Sequence, residues 1–225
     1  AIESRNEFKR ILNKENIELD LEEKGILHLC NDQQSLDHGR KINSWLKEAG
    51  LNRKEVSIEE MVSIEPTLNL KNFKGGFYTK SDMSGDIHKF TKLLADASEQ
   101  KGVRFFYETE ITAIEHNQKQ PIVYFNQSNN KHKQNYDGIV ICAGVNSKFL
   151  ANKLGDSVNI YPVKGYSITL LLNDEDSFNN TPYVSLLDDN AKIVSSRLGK
   201  DRFRVAGTAE FNGYNKDIRA DRINP

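Results

Sequence analysis

The run Tyr136-Asp137-Gly138-Ile139-Val140-Ile141-Cys142-Ala143-Gly144 constrains this chain most. A polar turn leads into four apolar residues, three of them β-branched, and the run ends on small residues. The lack of alternation predicts a central strand buried on both faces. Small residues at its end would let another group approach the backbone. Val145 to Leu154 predicts a short helix closed by Gly155, so the stretch reads strand, tight turn, helix. Free backbone N–H groups at such a helix start suit a phosphate. An ordinary buried strand with a short turn is the alternative this stretch alone leaves open.

A chain of 225 residues can bury a sizeable core as one large domain or two small ones. Basic and acidic residues number 31 and 32, and no basic stripe interleaves with aromatics, so nucleic acid is not expected as a partner. Cys30 and Cys142 sit in apolar runs without metal-ligand spacing. They read as buried free thiols of a reducing compartment, and no metal site is expected. No apolar run approaches the ~18 residues of a membrane span. Ala1 to Asp20 is charged throughout, unlike a signal peptide. Association with a membrane surface stays open.

Along the chain, residues 1 to 24 predict a short helix and a connection, and Gly25 to Asn31 a strand that places His28 between leucines. Gln33 to Ala49 predicts a helix with Ile42, Trp45, Leu46 and Ala49 on its apolar face, which puts the lone tryptophan in the core. Ser57-Ile58-Glu59-Glu60 is a capping box opening a helix that must end before Pro66. Lys74 to Tyr78 reads as a strand, its paired glycines allowing a bulge or close approach. Asp86 caps a helix from Ile87 to Lys101. Strands are expected at Val103–Tyr107, Glu110–Glu115 and Pro121–Asn126, with a polar turn at Lys131–Gln134. From Val158 the chain is β-rich: Val158–Leu172, Tyr183–Leu187, Ile193–Arg197 and Phe203–Ala206, with Asp174–Asn180 as a solvated loop. A helix begins at Lys216.

Four stretches between Tyr78 and Tyr214 carry a resemblance. They are Gly85-Asp86-Ile87-His88 at a helix entry, Gly102-Val103-Arg104 through Thr109-Glu110-Ile111, Asp137 to Val145, and Tyr161-Pro162-Val163-Lys164-Gly165-Tyr166-Ser167. Together and in this order they resemble the D-amino-acid oxidase superfamily of flavoenzymes, most of all the bacterial D-amino-acid dehydrogenase small subunits. His88 stands where that pattern has proline. The Gly-x-Gly-x-x-Gly turn with which such enzymes begin is absent from the sequence. So is the late Arg-Pro stretch that carries their carboxylate-binding arginine. The resemblance therefore implies an internal fragment, inactive by itself and not expected to hold flavin.

The resemblance further implies an α/β plus α+β fold, in which the middle part of an FAD-binding layer is interleaved with a mostly antiparallel β-sheet substrate domain. Residues 1–84 and 161–225 would belong to the substrate domain and residues 85–160 to the FAD-binding domain. The full-length protein would use FAD to deaminate D-amino acids oxidatively to 2-oxo acids and ammonia. Electrons would pass to a quinone or other membrane acceptor, which implies a cytoplasmic protein meeting the inner face of the cell membrane. The implied cofactor-binding positions are Ile111, Cys142, Ala143, Gly144, Lys164 and Gly165. Tyr183 and Arg197 are the substrate-binding candidates, a tyrosine and an arginine suiting a carboxylate, and no catalytic set is assigned. The rivals are a glycine- or sarcosine-oxidase-like enzyme of the same superfamily and a non-enzymatic binding module without flavin.

Overall fold

In a computed structural model, which describes residues 2–116 and 120–223, the periodic stretches become elements in the expected order. The first are α1 (Ile2–Glu15), β1 (Ile26–Cys30), α2 (Gln33–Glu48), β2 (Lys54–Val56), α3 (Ile58–Ile64), β3 (Gly75–Thr79) and α4 (Ile87–Glu99). Next come β4 (Thr109–His116), β5 (Pro121–Gln127), β6 (Asn130–Asn135), a 3-10 turn at Gly144–Asn146 and α5 (Ser147–Lys153). The others are β7 (Lys164–Leu171), α6 (Glu175–Asn179), β8 (Ser185–Asp188), β9 (Ile193–Arg197), β10 (Arg202–Glu210) and α7 (Ala220–Ile223). These make two compact units: residues up to 100, 165–209 and from 219 on, and residues 101–164 with 210–218. Helix α4 groups with the first unit.

A seven-stranded sheet of order β2-β3-β1-β8-β9-β10-β7 organises the first unit. Strand β1 pairs with β8 in parallel, while β1–β3, β2–β3, β8–β9 and β9–β10 are antiparallel. Alternation sends Leu27 and Leu29 to one face, where they pack with Val56, Leu186 and Met61 of α3. Met61 is fully buried, a burial that contributes roughly 1.5–3 kcal/mol. Ser57 and Glu60 form the expected capping box of α3. Phe77 lies on the opposite face against α2, where a Cβ on Gly39 would come within 2.1 Å of its ring. A glycine inside a helix costs about 1 kcal/mol, yet here it sets how closely helix and sheet approach.

Trp45 is a correction: it is 66% exposed. Leu36 and Gly39 carry the buried face of α2, and Trp45 follows Leu36 by two and a half turns at about 3.6 residues each. It therefore points away from the sheet. Asp174–Asn180 is likewise not a plain loop, because Asp174 and Ser177 form a capping box that opens α6.

In the second unit β4, β5 and β6 form an antiparallel meander. The expected polar turn at Lys131–Gln134 is instead strand β6. The turn lies at Ser128 and Asn129, whose φ values of 49° and 65° match a two-residue hairpin with both central residues left-handed. All of β6 is exposed, as suits a polar edge strand. The run from Asp137 to Gly144 is not the buried strand expected. It pairs with no strand among the described residues, and Val140 is 86% exposed. Val103–Tyr107 is also unpaired, its aromatic side chains exposed. A strand apolar on both faces requires a flanking strand on each side and covering layers, and the meander supplies neither. The short helix expected after Gly144 is present as the 3-10 turn and α5. Strand β7 starts only at Lys164, and the helix expected from Lys216 is confined to α7.

Candidate active site

Tyr183 and Arg197 do meet, as parts of a clasp. Arg197 is 3% exposed. It donates through Nε to the Pro182 carbonyl (3.0 Å) and through Nη2 to the carbonyls of Phe178 and Thr181. Its guanidinium also covers the rings of Phe178 and Tyr183, 4.3 and 3.9 Å from their centroids. Only its Nη1 is buried without a hydrogen-bond partner among the described residues. From the other side the fully buried Glu65 accepts from the Tyr183 N–H (2.6 Å), the Val184 N–H (2.9 Å) and the Thr67 hydroxyl (2.7 Å). Arginine and glutamate together fix the loop that feeds β8. The pattern of alternating residues around Arg197 gave no sign of this commitment, because its acceptors are backbone atoms 15 to 19 residues away.

The open part of the seven-stranded sheet lies elsewhere. Leu186 pairs with Ser195 and Ser196 with Arg204, so Ser185, Ser196 and Arg204 form one row across three strands. Hydrogen bonds follow it: Ser185 Oγ to Ser196 Oγ at 2.8 Å, and Arg204 Nη2 to Ser167 Oγ of β7 at 2.7 Å. One pleat along, Leu187, Val194 and Ala206 are paired in an apolar row on the same face. Beyond the cover of α2 this face opens into a basin of about 900 Å3, with both rows contributing to its lining and Lys192 and Thr208 at its edge. Thr208 has φ +59° and Lys192 φ +57°. Positive φ is rare for a β-branched residue and costs roughly 1–3 kcal/mol, strain that concentrates at functional sites. Sequence reading singled out Ser167 only within a motif and missed Arg204, Leu187 and Val194; their register is the missing information.

Charge along this face is unevenly matched. Arg202, two residues before Arg204, donates to Asp86 at 2.7 Å, while Asp86 also caps α4 by accepting from the N–H groups of His88 and Lys89. The bond from Arg202 holds the Asp86 carboxyl below the usual carboxylate range. Arg204 has no ion pair among the described residues. His28, opposite Leu187 on β1, is pushed down to about 4, first by burial and then by the Arg53 charge. Burial also raises the Cys30 thiol.

The positions implied for the cofactor fall mainly in the second unit. Ile111 lies on β4, and with Ile139, Ile141, Ala143 and Leu150 it lines an apolar hollow of about 370 Å3 that also includes Cys142. Cys142 is exposed, which corrects its expected burial; Cys30 is buried as expected. Gly144 has φ +55°, and a Cβ there would meet nothing within 4 Å. Its backbone conformation, rather than crowding, is what favours glycine. The hollow fits an apolar ring or chain laid along the backbone. Lys164 is not a plain exposed lysine, since it lies 3.3 Å from the buried Glu210 and donates to the Asp217 carbonyl at 2.7 Å. Gly165, in β7, would place a Cβ 3.7 Å from the Gly207 and Thr208 carbonyls. Among the described residues no cluster of His, Cys, Asp and Glu could hold a metal, and no helix is long and apolar enough to cross a membrane.

The seven-stranded mixed sheet and the separate antiparallel meander together make a mixed α/β fold that recurs in solved structures. Glycine oxidase from Geobacillus kaustophilus shares this fold with a TM-score of 0.84, over 99% of this chain and 58% of that one, at 17% identity. The family described as FAD dependent oxidoreductase matches residues 1–225, and the chain belongs to it. D-amino acid dehydrogenase 3 of Mesorhizobium japonicum is 48% identical over 225 residues, covering 100% of this chain and 54% of the relative. D-amino acid dehydrogenase of Dechloromonas aromatica is 34% identical over 226 residues, covering 99% and 53%. The chain thus spans about half the length of these curated relatives. The resemblance read from the four motif stretches holds.

Proposed function

We propose that the full-length protein oxidises D-amino acids to 2-oxo acids and ammonia. The observation that carries this reading is the 48% identity to a D-amino acid dehydrogenase along the entire chain. The substrate loses a hydride from Cα and a proton from its amine, and water then converts the imine to the 2-oxo acid and ammonia. A bound flavin would supply the two-electron acceptor. This chain's own contribution is to bind and orient the substrate in the basin of the seven-stranded sheet.

In this reading the seven-stranded sheet belongs to a substrate domain formed from residues 1–84 and 161–225. The meander and apolar hollow belong to the middle of the FAD-binding domain, residues 85–160. Ile111, Cys142, Ala143 and Gly144 would run beside the adenosine and pyrophosphate end of the cofactor. Lys164 and Gly165 would lie near the ring system, where the chain crosses between domains. Electrons would leave to a quinone-type acceptor at a membrane surface.

The test is anaerobic mixing of the full-length, flavin-loaded protein with paired enantiomers. Small and medium apolar D-amino acids should bleach the flavin, their L-isomers should not, and a quinone should reoxidise it faster than oxygen does. Rapid hydrogen peroxide formation would move the assignment to an oxidase. No bleaching by any D-amino acid would refute it.

A further inference from the structure

We propose that the outer edge of β7 is a dimer interface, at which a second copy of this chain adds its own β7 antiparallel, about a two-fold axis at Ile168. An unpaired edge invites a further strand, and proteins blunt it with charge, proline or short length. Three of the four sheet edges among the described residues are treated in this way. Strand β2 has three residues, two of them Lys54 and Glu55. Strand β4 carries Glu110, Glu115 and His116, and β6 carries Lys131, His132 and Lys133. Strand β7 is the fourth edge, at the far end of the seven-stranded sheet from β2. It is eight residues long, and after Lys164 it has neither charge nor proline. Ile168, Leu170 and Leu171 are 60%, 50% and 62% exposed.

The backbone restricts how a partner can pair. The Leu172 N–H donates to the Asp201 carbonyl, just before β10. Gly165 lies beside the Gly207 and Thr208 carbonyls, so β7 runs antiparallel to β10. Alternation then turns the N–H and C=O groups of Tyr166, Ile168 and Leu170 toward β10, and those of Gly165, Ser167, Thr169 and Leu171 outward. Only registers that oppose outward groups can form a ladder. Centring on Ile168 does so, and sets Ser167 against Thr169, Gly165 against Leu171, Tyr166 against Leu170 and Ile168 against its own copy. Hydroxyl meets hydroxyl, and Tyr166, Ile168 and Leu170 of both copies make one apolar stripe on one face. Cross-strand pairs of these kinds stabilise sheets. Centring on Thr169 or on Ser167 would oppose Ser167 to Leu171 or Lys164 to Leu170. Such self-complementarity is what an isologous contact requires, and it selects a second copy over an unrelated strand.

The experiment uses the full-length, flavin-loaded protein and its I168K, I168E and I168C variants. Sedimentation velocity over a concentration series should give a dimer for the parent. I168K and I168E each set like charges opposite one another at the axis, and each should raise the dissociation constant at least tenfold. An equimolar mixture of the two should recover dimers, which misfolded variants could not do. I168C should be trapped as a disulfide-linked dimer on mild oxidation, well above the parent's level, because directly opposed Cβ atoms lie only about 4.5–5.5 Å apart. Amide exchange at Ser167 and Thr169 should slow as concentration rises, while that at Ile168 and Leu170, whose N–H groups face β10, should stay constant. A parent that remains monomeric up to about 0.1 mM, where even a weak specific pair forms, would overturn the proposal. Slow exchange at Ser167 and Thr169 in such a monomer would assign the edge to the rest of the chain instead. A dimer indifferent to I168K and not trapped by I168C would place the interface elsewhere and overturn it equally.

Discussion

Replacing Glu65 with glutamine keeps the shape of a fully buried side chain and changes only what its atoms can accept. The carboxylate takes hydrogen bonds from the Tyr183 and Val184 N–H groups on one oxygen, and from the Thr67 N–H (3.2 Å) and hydroxyl on the other. Glutamine has one acceptor oxygen. If that oxygen stays with Tyr183 and Val184, its amide nitrogen faces the Thr67 N–H, and the threonine hydroxyl can turn to accept from it. One backbone donor is then orphaned, at about 1–3 kcal/mol, and two charge-assisted bonds become neutral ones. Relief from burying a charge offsets part of this loss. A net destabilisation of about 2 kcal/mol remains, which lowers a urea midpoint by roughly 1 M for an m-value near 2 kcal/mol/M. Hydrogen exchange should rise at Tyr183 and Val184 before it rises in β1. A midpoint unchanged within about 0.2 M would show that the clasp does not hold the start of β8.

Three further outcomes are expected. His28 has a folded-state pKa of about 4 against an ordinary 6.5, so the unfolded chain takes up its proton first. Its contribution is fully present above pH 6.5, declines as pH falls from there to about 4, and is then lost. At about 1.4 kcal/mol per unit, and discounted for partial exposure, the loss is roughly 2–3 kcal/mol. His28→Asn should flatten that part of a stability-versus-pH curve, and an unchanged slope counts against the assignment. Thr208→Gly should raise stability by about 1 kcal/mol in urea unfolding, because it removes a left-handed β-branched residue; a loss would mean the conformation is not strained. Val140→Lys should reduce self-association of the isolated chain in light scattering, since an exposed apolar extended run is an association hazard. Unaltered scattering would place the sticky surface elsewhere.

Much of the fold was legible because its signals are local. The capping box at Ser57, the N-cap at Asp86 and the helical period of α2 are set by residues within one or two turns. The failures share a different cause. Ile139, Val140 and Ile141 have the composition of a central strand, but a strand exists only where partners supply its hydrogen bonds. Strand β6 shows the converse: Lys131, His132 and Lys133 look like a turn, and pairing with Asn126, Phe125 and Tyr124 makes them a strand. Trp45 failed on angle alone. Its apolar character joined the helix pattern, while its position half a turn from Leu36 placed it in solvent.

The arginines of β9 and β10 show why the candidate site was less legible than the fold. In sequence Arg197, Arg202 and Arg204 are equivalent cations, and the choice of Arg197 for a carboxylate drew on its place in the β-rich part. Strand alternation and register separate them. Arg197 pairs with Phe203, so it shares the face of Phe203, and Arg202 and Arg204 take the opposite one. What each then meets depends on distant chain: the loop from Phe178 to Pro182 for Arg197, the cap of α4 for Arg202, and Ser167 for Arg204. Arg202 finds a carboxylate, and Arg197 finds backbone acceptors for Nε and Nη2 while its Nη1 stays buried without a hydrogen-bond partner among the described residues. Arg204 finds a hydroxyl, which orients it without neutralising it. These different surroundings arise from strand register rather than from any contiguous motif.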